Sequence, residues 1–334
     1  MMKFFTLPEN TRRDIFIQTG LREGLPAATV EKDWWVTLVL HLVFSLDISD
    51  HLLFKGGTSL SKGWSLIGRF SEDIDLAIDK SYLGFSEKLS KNQVRNKLRK
   101  RSYDFVVNEL FEWIKLKLKE WNVPYITLEI HGNKEPDTDP MTIGLMYRSI
   151  TEPSLYLVPR VLIETGARSQ KEPFSYRNIT SLVDLNFSTF EWAHKGMNVP
   201  AVLPERTFLE KAFLLHEEFQ KPGEKMRTER LSRHLYDLEK LMDTEHGRKA
   251  LENVELYKSI IAHRKIYFPI GGIDYNNHSP EKIDFIPGDD IRKVWEADYN
   301  KMRESMVVGP SLDYNALIDR LNILKERFRD IKIL

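Results

Sequence analysis

Two aspartates one residue apart, in Asp73-Ile-Asp-Leu-Ala-Ile78, follow closely on a glycine-rich string, Phe54-Lys-Gly-Gly-Thr-Ser-Leu-Ser61. The first string alternates polar and apolar residues, so as a strand it points Asp73 and Asp75 to one face and Ile74 and Leu76 to the other. In the second, Leu52-Leu53-Phe54 reads as a short buried strand, and Gly56-Gly57 lets the backbone turn tightly and approach a ligand. Thr58 or Ser59 is expected to cap the helix that follows. Free N–H groups at such a helix start attract phosphate oxygens. Paired hard carboxylates facing a phosphate cradle suit Mg²⁺ or Mn²⁺, which takes oxygen ligands and keeps phosphates and water in its shell. The chemistry implied is metal-assisted attack on a nucleoside triphosphate.

A third carboxylate completes such a site. Glu164, in the apolar string Arg160-Val-Leu-Ile-Glu-Thr-Gly166, is the leading candidate, and Glu129 in Ile126-Thr-Leu-Glu-Ile130 is its rival. An Asp-x-Asp alone is also common on solvated strand edges; the glycine turn just upstream is what tips the reading toward a site.

Lys55-Gly-Gly-Thr-Ser-Leu-Ser-Lys62 together with Arg69-Phe-Ser-Glu-Asp-Ile-Asp-Leu76 resembles the AbiEii/AbiGii toxin family, the MenT-type nucleotidyltransferases of the DNA polymerase β superfamily. Glu31-Lys-Asp-Trp-Trp-Val-Thr37, Arg206-Thr-Phe-Leu-Glu-Lys-Ala212 with Leu215-His216, and Arg233-His-Leu-Tyr-Asp-Leu238 extend the likeness from about 30 to about 240. The resemblance implies a polymerase β-like α+β fold, a mixed sheet with flanking helices followed by a mainly helical half. It implies Asp73 and Asp75 as metal carboxylates, Ser71 and Arg69 beside the nucleotide with Gly56, Gly57, Thr58 and Ser59, Lys211 as a phosphate-contacting lysine, and Asp237 as an acid closing the site from the helical half. The superfamily pattern sets its Gly-Ser closer to the first aspartate than Gly57 stands from Asp73, so Thr58 and Ser59 both remain candidates for the serine's part. An NTP donor, a tRNA 3′ end as acceptor and a cognate antitoxin are further implications. A protein or small-molecule acceptor, or a nucleotide-binding module without turnover, are the competing readings.

Read without the family, several of these residues have plainer roles. Lys211 falls on an amphipathic helix where a lysine is ordinarily solvated. Arg233 and Asp237, at i and i+4, would make a surface ion pair worth a few tenths of a kcal/mol. Trp34 and Trp35 follow helical apolar spacing and read as core, while Lys32 and Asp33 could face the pocket. His216 and His234 have no partner at metal-ligand spacing.

With 334 residues, 42% hydrophobic and 29% charged, the chain is long enough for two domains, and its formal net charge is zero. The absence of cysteine removes disulfides and thiolate chemistry. No apolar stretch reaches the roughly eighteen residues of a membrane span, and the N-terminus lacks a signal-peptide core, so the chain is expected in the cytosol without a membrane partner. Helices are predicted near 10–22, 27–46, 90–120, 205–219, 229–243, 246–263 and 312–330, and strands near 124–132, 141–148 and 160–167. Residues 267–309, rich in Pro, Gly, Asp and Asn, read as irregular. The expected domains are 1–190, the nucleotidyltransferase part, and 191–334, mainly helical, with the site in the cleft they form. Two basic runs, Lys88 to Arg101 and Lys221 to Arg233, are candidates for gripping RNA phosphates; a solvated helix face is the plainer reading of each.

Overall fold

In a computed structural model, residues 1–86, 88–131, 140–153, 157–169 and 172–332 are described. The sequence-predicted strand near 124–132 ends on a residue outside them. The chain divides into two compact units: Met1–Trp64 with Phe70–Val202, and Ser65–Arg69 with Leu203–Leu334.

The first unit is built on a seven-stranded mixed sheet of order β3-β4-β5-β2-β1-β7-β6. The strands are β1 (Leu52–Lys55), β2 (Asp73–Ile78), β3 (Ile126–His131), β4 (Met141–Tyr147), β5 (Arg160–Gly166), β6 (Phe174–Ile179) and β7 (Met197–Val202). Among the described residues, the β2–β5 and β1–β7 pairs are parallel and the other strand pairs antiparallel. One face, carrying Phe54, Ile74, Leu76, Ile143, Val161 and Ile163, is buried. The opposite face carries Asp73, Asp75 and Glu164, which are half-buried or exposed. This is the alternation expected of a sheet with one face in the core.

The helix Ala27–Phe44 is buried on almost every side: the part from Trp34 onward is apolar nearly all round, and the charged residues Glu31, Lys32 and Asp33 are buried with it. Trp34 and Trp35 are core residues: Trp34 meets the rings of Phe4, Phe5 and Phe16, and Trp35 stacks on Tyr147 at 4.8 Å. Residues 91–120 form one helical run, as expected, with wider turns at Val94–Leu98 and Phe105–Leu110.

Three features depart from the sequence-based expectation. Strands β6 and β7 were not anticipated, because Pro200 inside β7 argues against a central strand; it is tolerated with β7 paired to both β1 and β6. The span 246–263 is two helices, Glu245–Glu252 and Val254–Tyr267, with the Asn253 side chain capping the second through Leu256 N–H at 2.9 Å. Within 267–309 lies a regular helix, Arg292–Met306, whose Trp295, Tyr299, Met302 and Met306 are buried at helical spacing. The turn-rich residues before it masked that period.

The second unit is helical, with Phe208, Phe213, Tyr257, Trp295, Tyr299 and Phe328 in its core. Its segment Ser65–Arg69 runs against residues 307–308, where Val308 N–H donates to Gly68 C=O at 2.8 Å. Among the described residues no helix is long and apolar enough to cross a membrane.

Candidate active site

Antiparallel pairing of β1 with β2 sets Lys55 opposite Asp75, so the chain leaves β1 at the level of the second aspartate. Gly56 then adopts φ +76° and starts a helical segment, Gly56–Thr58 continuing as Ser59–Gly63. A Cβ at Gly56 would overlap the Asp75 carboxylate. Only glycine permits both this backbone conformation and this approach. The first N–H groups of a helix have no intrahelical acceptor, and here they begin beside a carboxylate that suits a metal ion.

Thr58 and Ser59 therefore lie inside the helical segment and do not cap it, because the turn is made at Gly56. The Thr58 hydroxyl is buried, donates to the Asp73 carbonyl and hydrogen-bonds the Ser71 hydroxyl at 2.9 Å. It ties the glycine turn to the start of β2. The Ser59 hydroxyl is buried and, among the described residues, makes no hydrogen bond. Of the two candidates for the superfamily serine, Thr58 is committed to structure and Ser59 is uncommitted.

Parallel pairing of β2 with β5 sets Glu164 beside Asp75, on the same face and about 4.8 Å away in strand spacing. Glu129 stands on β3, three strands from β2, and leans over Gly144 of β4. Of the two rivals, Glu164 is the neighbour of the aspartate pair. Among the described residues, no three acidic or histidine side chains converge into a group ready to hold an ion. Two carboxylates that leave further positions to phosphate oxygens and water nevertheless fit what magnesium takes.

The charged block before the tryptophans is buried and paired, and it fixes this geometry. Glu31 accepts from the Ser149 and Thr151 hydroxyls and from Ile150 N–H at 3.0 Å. Lys32 donates to Glu72, the residue before Asp73, and to the Val158 carbonyl at 3.0 Å. Asp33 pairs with Lys62 in the glycine helix and accepts from Leu182 N–H at 2.8 Å. One buried helix thus holds both the aspartate strand and the glycine segment. At the far end of that segment, Arg177 of β6 donates to the Gly63 carbonyl at 2.8 Å and lies over the Trp64 ring at 4.5 Å. Sequence reasoning missed Arg177 with its strand.

The second unit holds the remaining candidates, Arg69, Lys211 and Asp237. Asp237 is fully buried and accepts from Arg69 through Nε at 2.6 Å and Nη2 at 2.8 Å, with Lys211 Nζ at 2.8 Å. The surface Arg233–Asp237 pair expected from spacing does not form, since Asp237 turns into the core. Burial alone would raise the Asp237 pKa; Arg69 and Lys211 outweigh it and hold the carboxyl well below its ordinary range. Burial lowers the Lys211 pKa, with Asp237 opposing. His234 lies 3.4 Å from Lys211 Nζ, and burial, then Lys211 and Arg233, push its pKa well down. A neutral imidazole accepts from the lysine, a contact the sequence did not signal. His216 Nδ1 accepts from Asp284 N–H at 2.9 Å and serves packing.

The basic runs differ in kind. Lys88, Lys91, Arg95, Lys97 and Lys100 are exposed, while Arg101 pairs with Glu109 at 2.7 Å. In the second run Lys221 and Arg227 are both taken up by the buried Glu218, at 2.7 and 2.8 Å. Two members of that run are therefore held by a buried acid, while Lys225 is exposed.

No curated protein matches the chain. Its fold is similar to "Crystal structure of JHP933 from Helicobacter pylori", with 16% identity, 90% of this chain and 92% of that chain covered, and a TM-score of 0.43, a likeness too distant to bear on the site. The family model described as "Nucleotidyl transferase AbiEii toxin, Type IV TA system" matches residues 43–330, a span that takes in the glycine turn, both aspartates, Lys211 and Asp237. The chain belongs to this AbiEii family and is a nucleotidyltransferase toxin.

Proposed function

We propose that the protein moves a nucleoside monophosphate from an NTP to the 3′-terminal hydroxyl of an RNA, a tRNA end above all, in a reaction that requires Mg²⁺ or Mn²⁺. The observation that carries this reading is the Asp75 carboxylate seated against Gly56, which sets a candidate metal ligand beside a candidate phosphate cradle. Asp73 and Asp75 would hold the metal, with Glu164 as the adjoining carboxylate. Bound there, the metal supplies charge neutralisation on the phosphate oxygens and acidifies the attacking hydroxyl.

The chain's own groups would do the rest by position and charge. The first N–H groups of the Gly56–Gly63 segment and the Ser59 hydroxyl donate to the triphosphate, and Thr58 with Ser71 keeps that segment registered on β2. The acceptor oxygen attacks the α-phosphorus, the bond to the bridging oxygen breaks, and pyrophosphate and the hydroxyl proton depart. Holding nucleophile, phosphorus and leaving group in line supplies much of the rate. Lys211 is the second unit's candidate cation for phosphate, a role taken from the family; Asp237 and Arg69 fix its position. The family's type IV toxin–antitoxin description supports an antitoxin as partner, and the cytoplasm, where tRNA and NTPs meet, as the setting.

The test is incubation with each labelled NTP and a mixed RNA pool, a protein extract or small acceptors, with Mg²⁺ and with chelator. Label is expected in small RNA, to be lost with chelator and in both Asp73→Asn and Asp75→Asn. Full activity in either variant, or label confined to protein or small molecules, would overturn the proposal. NTP binding without pyrophosphate release would identify a nucleotide-binding module instead.

A further inference from the structure

Three residues outside the catalytic set share the sheet face of Asp73 and Asp75. Lys55 is registered opposite Asp75 on β1, Phe54 is registered with Ala201 on β7, and Val202 with Phe174 on β6. Following that register, Asp75, Lys55, Val202 and Phe174 form one row across four strands, in which Val202 is buried between Lys55 and Phe174. Tyr176 stands two residues along β6, on the same face, registered with Pro200. Both rings are exposed, Phe174 by 43% and Tyr176 by 63%, and they meet edge to face at 5.7 Å. Lys55 is half-buried and, among the described residues, has no acidic partner.

We propose that Phe174 and Tyr176, with Lys55 between them and Asp75, form a subsite for the single-stranded end of the acceptor RNA. The proposal rests on the RNA reading above and names the residues that would hold that acceptor. Exposed aromatic rings on a strand offer flat apolar faces, which any unpaired base can cover, and an unpartnered lysine in the same row offers a counter-charge for the phosphates. Bases inside a duplex are already stacked on their neighbours, so the rings select an unpaired segment. Three strand spacings separate Phe174 from Asp75, about 14 Å. At the roughly 3.4 Å rise of stacked nucleotides this corresponds to about four residues, and to fewer in an extended strand. The terminal hydroxyl can then lie at the aspartates while the preceding bases lie on the rings. A protein strand adding to the β6 edge is the rival occupant, but it would leave the lysine in this row without a use.

Binding of a short fluorescein-labelled single-stranded oligoribonucleotide to the full chain, followed by anisotropy, tests this. Phe174→Leu and Tyr176→Leu keep apolar bulk but remove the stacking face, so each is expected to raise Kd about tenfold. Tyr176→Trp should bind at least as tightly as the parent, and Lys55→Gln should reduce the salt slope by about one. Calorimetric affinity of the leucine double variant for NTP should match the parent, which shows the fold intact. Parent-like oligoribonucleotide binding by that double variant overturns the subsite. So does a change in its sedimentation, which would show the rings packing a second copy. If the parent labels RNA and the double variant does so with the same KM, the subsite fails while the RNA reading stands; if the parent neither binds nor labels RNA, the RNA reading itself falls.

Discussion

Arg69 clasps Asp237 with two parallel hydrogen bonds, Nε to Oδ1 at 2.6 Å and Nη2 to Oδ2 at 2.8 Å, although 168 positions separate them in sequence. Lys211 shares the same carboxylate at 2.8 Å. Two cations thus share one carboxylate inside the second unit. Removing the acid by Asp237→Ala takes the shared carboxylate away from two buried cations, and the expected loss is about 3–5 kcal/mol of stability. Because the folded carboxyl is held below its ordinary 3.8, its contribution is complete above that pH and fades as pH falls toward the folded value. Denaturant titration at neutral pH checks the magnitude; a loss under about 1 kcal/mol would show that the cluster contributes little.

Gly56→Ala is expected to spare the fold and damage the site. The new methyl must occupy space now held by the Asp75 carboxylate, in a backbone conformation that alanine resists. Either Asp75 swings away or the turn opens. Both disturb the spacing of carboxylate and N–H groups, and a shift of about 1 Å costs roughly 100-fold in rate. Labelled-NTP incorporation compared with the melting temperature separates the effects. Near-parental activity would mean that the close approach of Gly56 to Asp75 has no catalytic use.

These positions also mark what a linear reading could reach. The glycine turn and the Asp-x-Asp strand were legible because their signals are local: φ-permissive residues in sequence, then a two-residue alternation. Glu164 needed the register of β2 with β5 before it could be preferred to Glu129, since both are single acids on apolar strands. Arg177 was invisible for a different reason, because Pro200 disguised the strand next to its own. The roles of Lys32 and Asp33 as anchors also required tertiary information, as their partners Glu72 and Lys62 lie 40 and 29 residues away. In the second unit, helix positions were readable from apolar spacing. The inward turn of Asp237 was not, because its partner Arg69 comes from a short segment far upstream.

His41 predicts an acid-side loss of stability. Burial first, and then the neighbouring His194, lower its pKa to about 4, with the two rings 4.5 Å apart. The unfolded chain would therefore bind a proton at His41 near its ordinary 6.5 that the folded chain takes up only near 4. Unfolding accordingly consumes a proton between those values, and stability rises with pH across that window. His41→Phe removes the titrating group while keeping a ring against Trp121. Its melting temperature should depend less on pH between about 4 and 6.5 than the parent's, a range set by the two pKa values. Identical pH profiles would assign the acid sensitivity elsewhere.

Arg177 is expected to act on catalysis through the glycine segment it holds. Its guanidinium donates to the Gly63 carbonyl at the C-terminal end of that segment and covers the Trp64 ring, whose indole N–H is itself fixed on the Val202 carbonyl at 3.1 Å. A cation at a helix C-terminus satisfies carbonyls left without intrahelical donors and complements the helix dipole. Arg177→Lys keeps the charge but loses the planar fork and much of the ring contact, so the segment is held at one point where it had been held at two. Looser seating at Gly63 leaves the Gly56 end less well placed for the triphosphate, and the KM for NTP should rise about tenfold with a smaller fall in kcat. Arg177→Ala should exaggerate the same split, and Arg177→Lys should recover part of it. A lowered melting temperature with KM unchanged in both variants would confine Arg177 to holding the sheet edge together.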